Sequence, residues 1–146
     1  MKKNLSSRPA INDHDDAVES PFKSSGGFKR IVYALHNSWS GLRLAIQVES
    51  AFRQELILCL VLIPLALWLP LSGLERAVLL ATTFLVLIVE LLNSSLEAAI
   101  DRISLERHRL SKRAKDLGSA AVLIALFLCL LTWVLIAGPT ILVLFR

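Results

Sequence analysis

The chain has 146 residues, 55% of them hydrophobic, and a mean hydropathy of +0.62. That is too apolar for an ordinary soluble domain and indicates a single membrane domain. The net charge of +4 does not call for nucleic acid, because the basic residues flank apolar segments, where anionic headgroups are the nearer partner.

Residues 1–27 are polar. "NDHDDAVES" and "KSSGG" are too poor in apolar side chains to build a core, so this stretch is expected to be a disordered extension. Lys2 and Lys3 are followed by no apolar run, which is not the pattern of a cleaved signal peptide. From Phe28 the pattern changes. Phe28, Val32, Leu35, Trp39, Leu42 and Ile46 recur at helical spacing, with Lys29, Arg30, Asn37, Ser40 and Arg43 opposite. A basic amphipathic helix with a Trp predicts a surface helix over 28–48, lying on the membrane. Continued by three residues, the apolar stripe lands on Glu49.

Three apolar segments follow, and helices are the form in which hydrocarbon tolerates a backbone. Membrane helices are expected at about 50–71, 77–103 and 117–145, the last with a break at Gly138-Pro139. Asp116 and Ser119 are expected as N-terminal caps, and Trp39, Trp68 and Trp133 as interfacial anchors. Cys59 and Cys129 sit in apolar runs and read as small core residues. The connection from Ser72 to Arg76 has one basic residue, whereas that from Asp101 to Asp116 has six. The positive-inside rule then places the N-terminus and the second loop in the cytoplasm and the C-terminus outside.

Within "VELLNSSLEAAIDRI" (89–103), Glu90 and Glu97 are two helical turns apart on one face, with Asn93 between them. A carboxylate at this depth costs on the order of 2.5–3.5 kcal/mol, and that cost needs an offset. Glu49 and Glu55 approach the same boundary from the other side. Carboxylates without His or Cys suit a hard cation such as Mg²⁺, which is typically shared with substrate phosphates. Arg107, Arg109, Lys112, Arg113 and Lys115 suit phosphate oxygens. Together these residues suggest phosphoryl transfer at a membrane surface, with a carboxylate accepting a hydroxyl proton. No Walker or GxGxxG motif is present. Two readings from another class remain: intramembrane carboxylates as glue in an oligomeric scaffold, or as a small ion pathway.

"NSWSGLR" (37–43), "FRQE" (52–55), "VELLNSSLEAAIDR" (89–102) and "AKDLGSAAVLIA" (114–125) closely resemble the prokaryotic diacylglycerol kinase family. The resemblance implies an all-α integral membrane homotrimer, each subunit with a surface helix and three membrane helices, in the bacterial inner membrane. It implies transfer of the γ-phosphoryl of MgATP to diacylglycerol, giving phosphatidic acid. By resemblance Glu90 is the catalytic carboxylate, Glu49 and Glu97 hold Mg²⁺ and ATP, and Asn93 supports them. The nucleotide contacts are then Arg30, Asn37, Glu106, Arg107, His108, Lys115 and Asp116. The lipid contacts are Arg30, Ser38, Trp39, Ala51, Phe52, Arg53, Gln54, Glu55, Glu90, Ser119 and Trp133. Leu35, His36 and Asn37 depart from the family pattern of a small pair followed by an aromatic residue. A sister branch phosphorylates undecaprenol; "KDLGSAAV" is more like the diacylglycerol branch.

Overall fold

The computed structural model describes residues 27–103, 108–144 and 146. The expected extension 1–27, apart from Gly27, and the expected nucleotide contacts Glu106 and Arg107 lie outside the described residues. The described residues form four helices: α1 (Gly27–Val48), α2 (Ser50–Trp68), α3 (Gly73–Ile103) and α4 (Arg109–Leu144). The last three are long and apolar enough to cross a membrane, so the architecture is the all-α membrane bundle expected.

The chain divides into two units between Asn37 and Ser38. In the first, the described residues are helical and all exposed, Arg30 and Asn37 among them. The second unit contains the rest of α1 and the bundle.

Between α1 and α2 stands Glu49, which leaves helical geometry at φ −89°, ψ 114°. Arg53 stabilises this break. Its Nη1 donates to the carbonyls of Ile46 and Gln47, both at 3.2 Å, satisfying acceptors that a helix end leaves without partners. One residue, Glu49, therefore separates the amphipathic helix from the first membrane helix.

The second membrane helix ends at Ile103 as expected, but other boundaries differ. The first membrane helix stops at Trp68, not 71, because Pro70 follows. The residue before a proline is driven to extended geometry, and Leu69 has φ −63°, ψ 142°. Arg76 reaches back to cap this end, donating to the carbonyls of Ala66, Leu69 and Leu71 at 3.2–3.4 Å. The second membrane helix starts at Gly73 rather than 77, because "SGLE" is a capping box. The Glu75 N–H donates to Ser72 Oγ at 3.3 Å, and the Ser72 N–H donates to Glu75 Oε2 at 2.8 Å. The third starts at Arg109 rather than 117. His108 Nδ1 accepts the Leu110 N–H at 3.2 Å, and Lys112 pairs with Asp116 one turn on. Asp116 and Ser119 are therefore interior helical residues, not caps. Nor does Gly138-Pro139 break the chain: α4 continues to Leu144. Membrane helices tolerate proline; the carbonyl that Pro139 leaves without its helical N–H is that of Leu135, and the next one, Ile136, gains a bond from Thr140 Oγ1 at 3.4 Å.

α3 packs against both α2 and α4. The core is one cluster built from Ala66, Leu69, Leu79, Val86, Ala125, Cys129, Trp133 and Ala137. Cys59 and Cys129 are buried free thiols, as expected. At the centre is Thr83. Its Oγ1 donates to the Leu79 carbonyl at 2.8 Å and accepts the Trp133 indole N–H at 3.1 Å. Cys59 Sγ donates to the Thr83 carbonyl at 3.7 Å, so one residue of α3 ties in both neighbours. Trp39 and Trp68 are exposed, in keeping with anchors, but Trp133 is buried in this core.

Interhelical hydrogen bonds in membrane proteins contribute on average ~0.6 kcal/mol. Trp133→Phe should lower the thermal midpoint in detergent by a corresponding few degrees. Thr83→Val should add less in that background than alone, because the shared bond is already gone. Strictly additive losses would show that the two side chains act separately.

Candidate active site

A helix rises 1.5 Å per residue, so about 20 residues cross the ~30 Å hydrocarbon layer. Counted from the Ser72 turn, α3 leaves that layer near Asn93. Counted back from its turn end, α2 leaves it near Ser50; on α4, Gly118 lies against Asn93, which puts that helix's exit at the same level. The three helices therefore reach the boundary at about one depth.

A cavity of about 270 Å³ lies there, lined by Glu49, Ser50, Ala51, Glu90, Asn93, Ser94, Glu97, Ser119 and Val122. Glu49 comes from the break before α2. Its carboxylate makes no capping hydrogen bond, which leaves it directed to the cavity. From α3 come Glu90, Asn93, Ser94 and Glu97, at the spacing that puts them on one face. Ser119 and Val122 are supplied by α4.

Glu90 is only 4% exposed and lies within electrostatic range of Glu49, Glu97 and Glu55. Glu55 is also buried, and its Oε2 has no hydrogen-bond partner among the described residues. On α2 it lies one turn deeper than Ala51, on the same face. Asn93 Nδ2 donates to Glu97 Oε1 at 3.3 Å, while the amide oxygen is buried without a partner among the described residues. Four carboxylates with few donors between them repel one another, and a cation is the natural complement.

Among the described residues, no three His, Cys, Asp or Glu side chains close into a ligand set for a metal ion. A Zn²⁺ site of tetrahedral type is not built here. The arrangement does fit Mg²⁺, which takes one or two carboxylates and completes its shell with water and phosphate oxygens.

Above the cavity, Lys115 Nζ is 2.6 Å from Asp101 Oδ1, an ion pair joining α4 to α3. Asp101 is four residues beyond Glu97 and continues the acidic face. Lys112 and Asp116 form a second pair at 2.6 Å, largely exposed. His108, Arg109, Leu110 and Arg113 line a separate cationic hollow of about 450 Å³.

The structure thus brings together Glu49, Ala51, Glu90, Asn93, Glu97 and Ser119. It sets other expected site residues elsewhere. Phe52 is buried outside the cavity lining, and Gln54 is exposed. Arg53 is committed to the end of α1. Ser38 and Trp39 lie exposed on α1, outside the cavity lining. Trp133 is fourteen residues along α4 from Ser119, about 21 Å by helical rise. Ser50, Ser94, Val122 and Asp101 escaped the sequence reading. Ser94 and Asp101 had a signal, since each is four residues beyond an expected glutamate.

The sequence profile of the family described as prokaryotic diacylglycerol kinase matches residues 36–137. The chain belongs to this family. It is 54% identical over 114 residues to the diacylglycerol kinase of Pseudomonas aeruginosa, covering 78% of this chain and 93% of that one. It is 50% identical over 107 residues to the Escherichia coli (strain K12) protein of the same name, covering 73% and 88%. The corresponding Helicobacter pylori (strain 26695) protein is 48% identical over 115 residues, covering 79% and 89%. Three apolar helices and membership of this prokaryotic family make the chain a bacterial membrane protein. The match to the family begins at His36, so it takes in the whole acidic cavity and its cationic rim.

Like-charge repulsion gives a test that needs no turnover. Glu97→Gln should raise the thermal midpoint in divalent-free detergent buffer, by roughly 0.5 kcal/mol of stability, the scale of a like-charge contact on a helix. On addition of Mg²⁺ and ADP it should gain less than the unaltered protein, because ligand binding to the native state stabilises it. An equal gain in both proteins would contradict a cation held by Glu97.

Proposed function

We propose that this chain transfers the γ-phosphoryl group of MgATP to the primary hydroxyl of diacylglycerol, giving phosphatidic acid. The reaction would run at the cytoplasmic face of the bacterial inner membrane. The observation that carries the reading is a buried carboxylate, Glu90, on the floor of an acidic cavity at the depth where three apolar helices leave hydrocarbon. One substrate is a water-soluble polyanion and the other is confined to the bilayer, so their meeting point must lie at that depth. The relatives named diacylglycerol kinase support diacylglycerol over undecaprenol as the lipid. The carboxylates cluster at one end of the bundle, which speaks against a pathway crossing the membrane.

In this reading Glu90 accepts the hydroxyl proton of the lipid. The freed oxygen forms a bond to the γ-phosphorus, the bond from that phosphorus to the β-γ bridging oxygen breaks, and ADP departs. Glu49 and Glu97 would hold Mg²⁺, which when bound neutralises phosphate charge. Asn93 keeps the Glu97 carboxylate turned into the cavity through its amide N–H. Lys115 supplies positive charge to the nucleotide phosphates and exchanges its bond to Asp101 for one to them. Asp116 is paired with Lys112 and faces solvent, which suits a contact with the outer part of the nucleotide. For Arg30, Asn37, Ser38, Trp39, Glu106, Arg107 and His108 the assignment as substrate contacts is carried by the family resemblance alone. The helix apolar faces are largely uncovered within one chain: fewer than one in four residues of each membrane span is buried. Lipid or a neighbouring subunit covers such faces equally well; it is the family resemblance that supports assembly as a homotrimer with sites shared between subunits. The cation-rich start of α4, Arg109 to Lys115, supports placing that end in the cytoplasm with the N-terminus, leaving the C-terminus outside.

The test is a pair of variants in micelles containing diacylglycerol. Glu90→Gln should fold normally and lose ~10²–10⁴-fold in turnover, the usual contribution of a general base. Lys115→Met should raise the apparent KM for MgATP far more than that for lipid. Near-normal turnover in folded Glu90→Gln protein would remove Glu90 as the base.

A further inference from the structure

Gly118 lies on α4 between the ion-paired Lys115 and the cavity residue Ser119. A Cβ built at this glycine would collide with Asn93 Oδ1 and come within 3.3 Å of Asn93 Cγ and 3.5 Å of Leu96 Cδ2. At the other described glycines, Gly27, Gly41, Gly73 and Gly138, a Cβ meets nothing within 4 Å. Here alone among them, the missing side chain matters for contact.

The atom in the way is the tip of a short side chain, not backbone. A methyl group at 118 therefore leaves α3 and α4 able to pack, provided the Asn93 amide turns aside. That amide is already engaged, because its Nδ2 donates to Glu97 Oε1 at 3.3 Å. Its Oδ1 is buried, has no hydrogen-bond partner among the described residues, and faces the bare Cα of Gly118. The reverse orientation would set Oδ1 against the Glu97 carboxylate, oxygen to oxygen. Asn93 thus has one useful pose, and the space for it is the absent side chain of Gly118.

We propose that Gly118 is a positioning residue of the active site: by lacking a side chain it admits the Asn93 amide in the pose that turns the Glu97 carboxylate into the cavity. The inference rests on the reading of Glu97 as a holder of the metal–nucleotide complex. It assigns Gly118 an effect on nucleotide use that passes through another residue and leaves the fold in place.

The experiment is a double-mutant cycle with Gly118→Ala and Asn93→Ala, assayed for MgATP-dependent phosphorylation of diacylglycerol. Gly138→Ala, in the same helix with open space around it, is the control and should be unaffected. Gly118→Ala should keep its thermal midpoint within a few degrees and its KM for lipid. It should lose about 10²-fold in kcat/KM for MgATP, the scale of a misplaced catalytic group, and need more Mg²⁺. In the Asn93→Ala background it should cost little more, because the group it displaces is gone. Unchanged MgATP use in Gly118→Ala, or losses that simply add, would overturn the proposal. If Gly118→Ala alone folds poorly, the double variant decides. Recovery of fold with activity equal to Asn93→Ala supports the contact, and continued misfolding overturns it. An unaltered protein that does not phosphorylate lipid would instead remove the functional reading and this inference with it.

Discussion

A carboxylate at the edge of hydrocarbon is the constraint on which the rest of the structure depends. Glu90 is nearly fully buried, on a helix apolar enough to span a bilayer. Left alone it would be unfavourable by several kcal/mol. Three features make the position tenable. The cavity is open rather than enclosed, so water, a cation or a polar substrate group has access to its carboxylates. Serines and an amide line the wall beside it. On α4, Lys115 stands one turn before the cavity residue Ser119 and is paired with Asp101 of α3. The same arrangement that lowers the cost of Glu90 is the one a phosphoryl donor requires.

The fold's other polar residues secure the geometry of that boundary. Arg53 ends α1 and Arg76 ends α2 by taking up orphaned carbonyls. Ser72 and Glu75 start α3 in a fixed register, and that register decides which residues of α3 arrive at the cavity. Deeper in, Thr83 joins Trp133 and Cys59, so the helices are held laterally by a few polar contacts, where lipid offers no hydrophobic drive between helices.

Much of this was legible in the sequence, because helical periodicity and hydrophobic length are robust signals. The 90–93–97 face needs only 3.6 residues per turn, and Glu49 stands out as a carboxylate where an apolar residue was due. Helix ends were less legible. A run of cations from Arg109 to Lys115 looks like a loop by composition, yet the pair from Lys112 to Asp116 and the cap at His108 make it helical. Gly138-Pro139 looks like a break, yet α4 runs through it. Trp133 looks like an anchor, but its indole N–H has a partner on another helix that no one-dimensional pattern reveals. Gly118 shows the same limit: its importance is an absence of atoms opposite Asn93, visible only in three dimensions.

The central claim is that the acidic cavity moves phosphate from nucleotide to a membrane lipid. The most direct measurement supplies purified protein in mixed micelles with γ-labelled ATP, Mg²⁺, and either diacylglycerol or undecaprenol. The account predicts label in an acidic, chloroform-soluble product that co-migrates with phosphatidic acid, dependent on Mg²⁺ and on diacylglycerol. Label transferred to undecaprenol alone, or ATP left unused while ions cross a bilayer containing the protein, would contradict it.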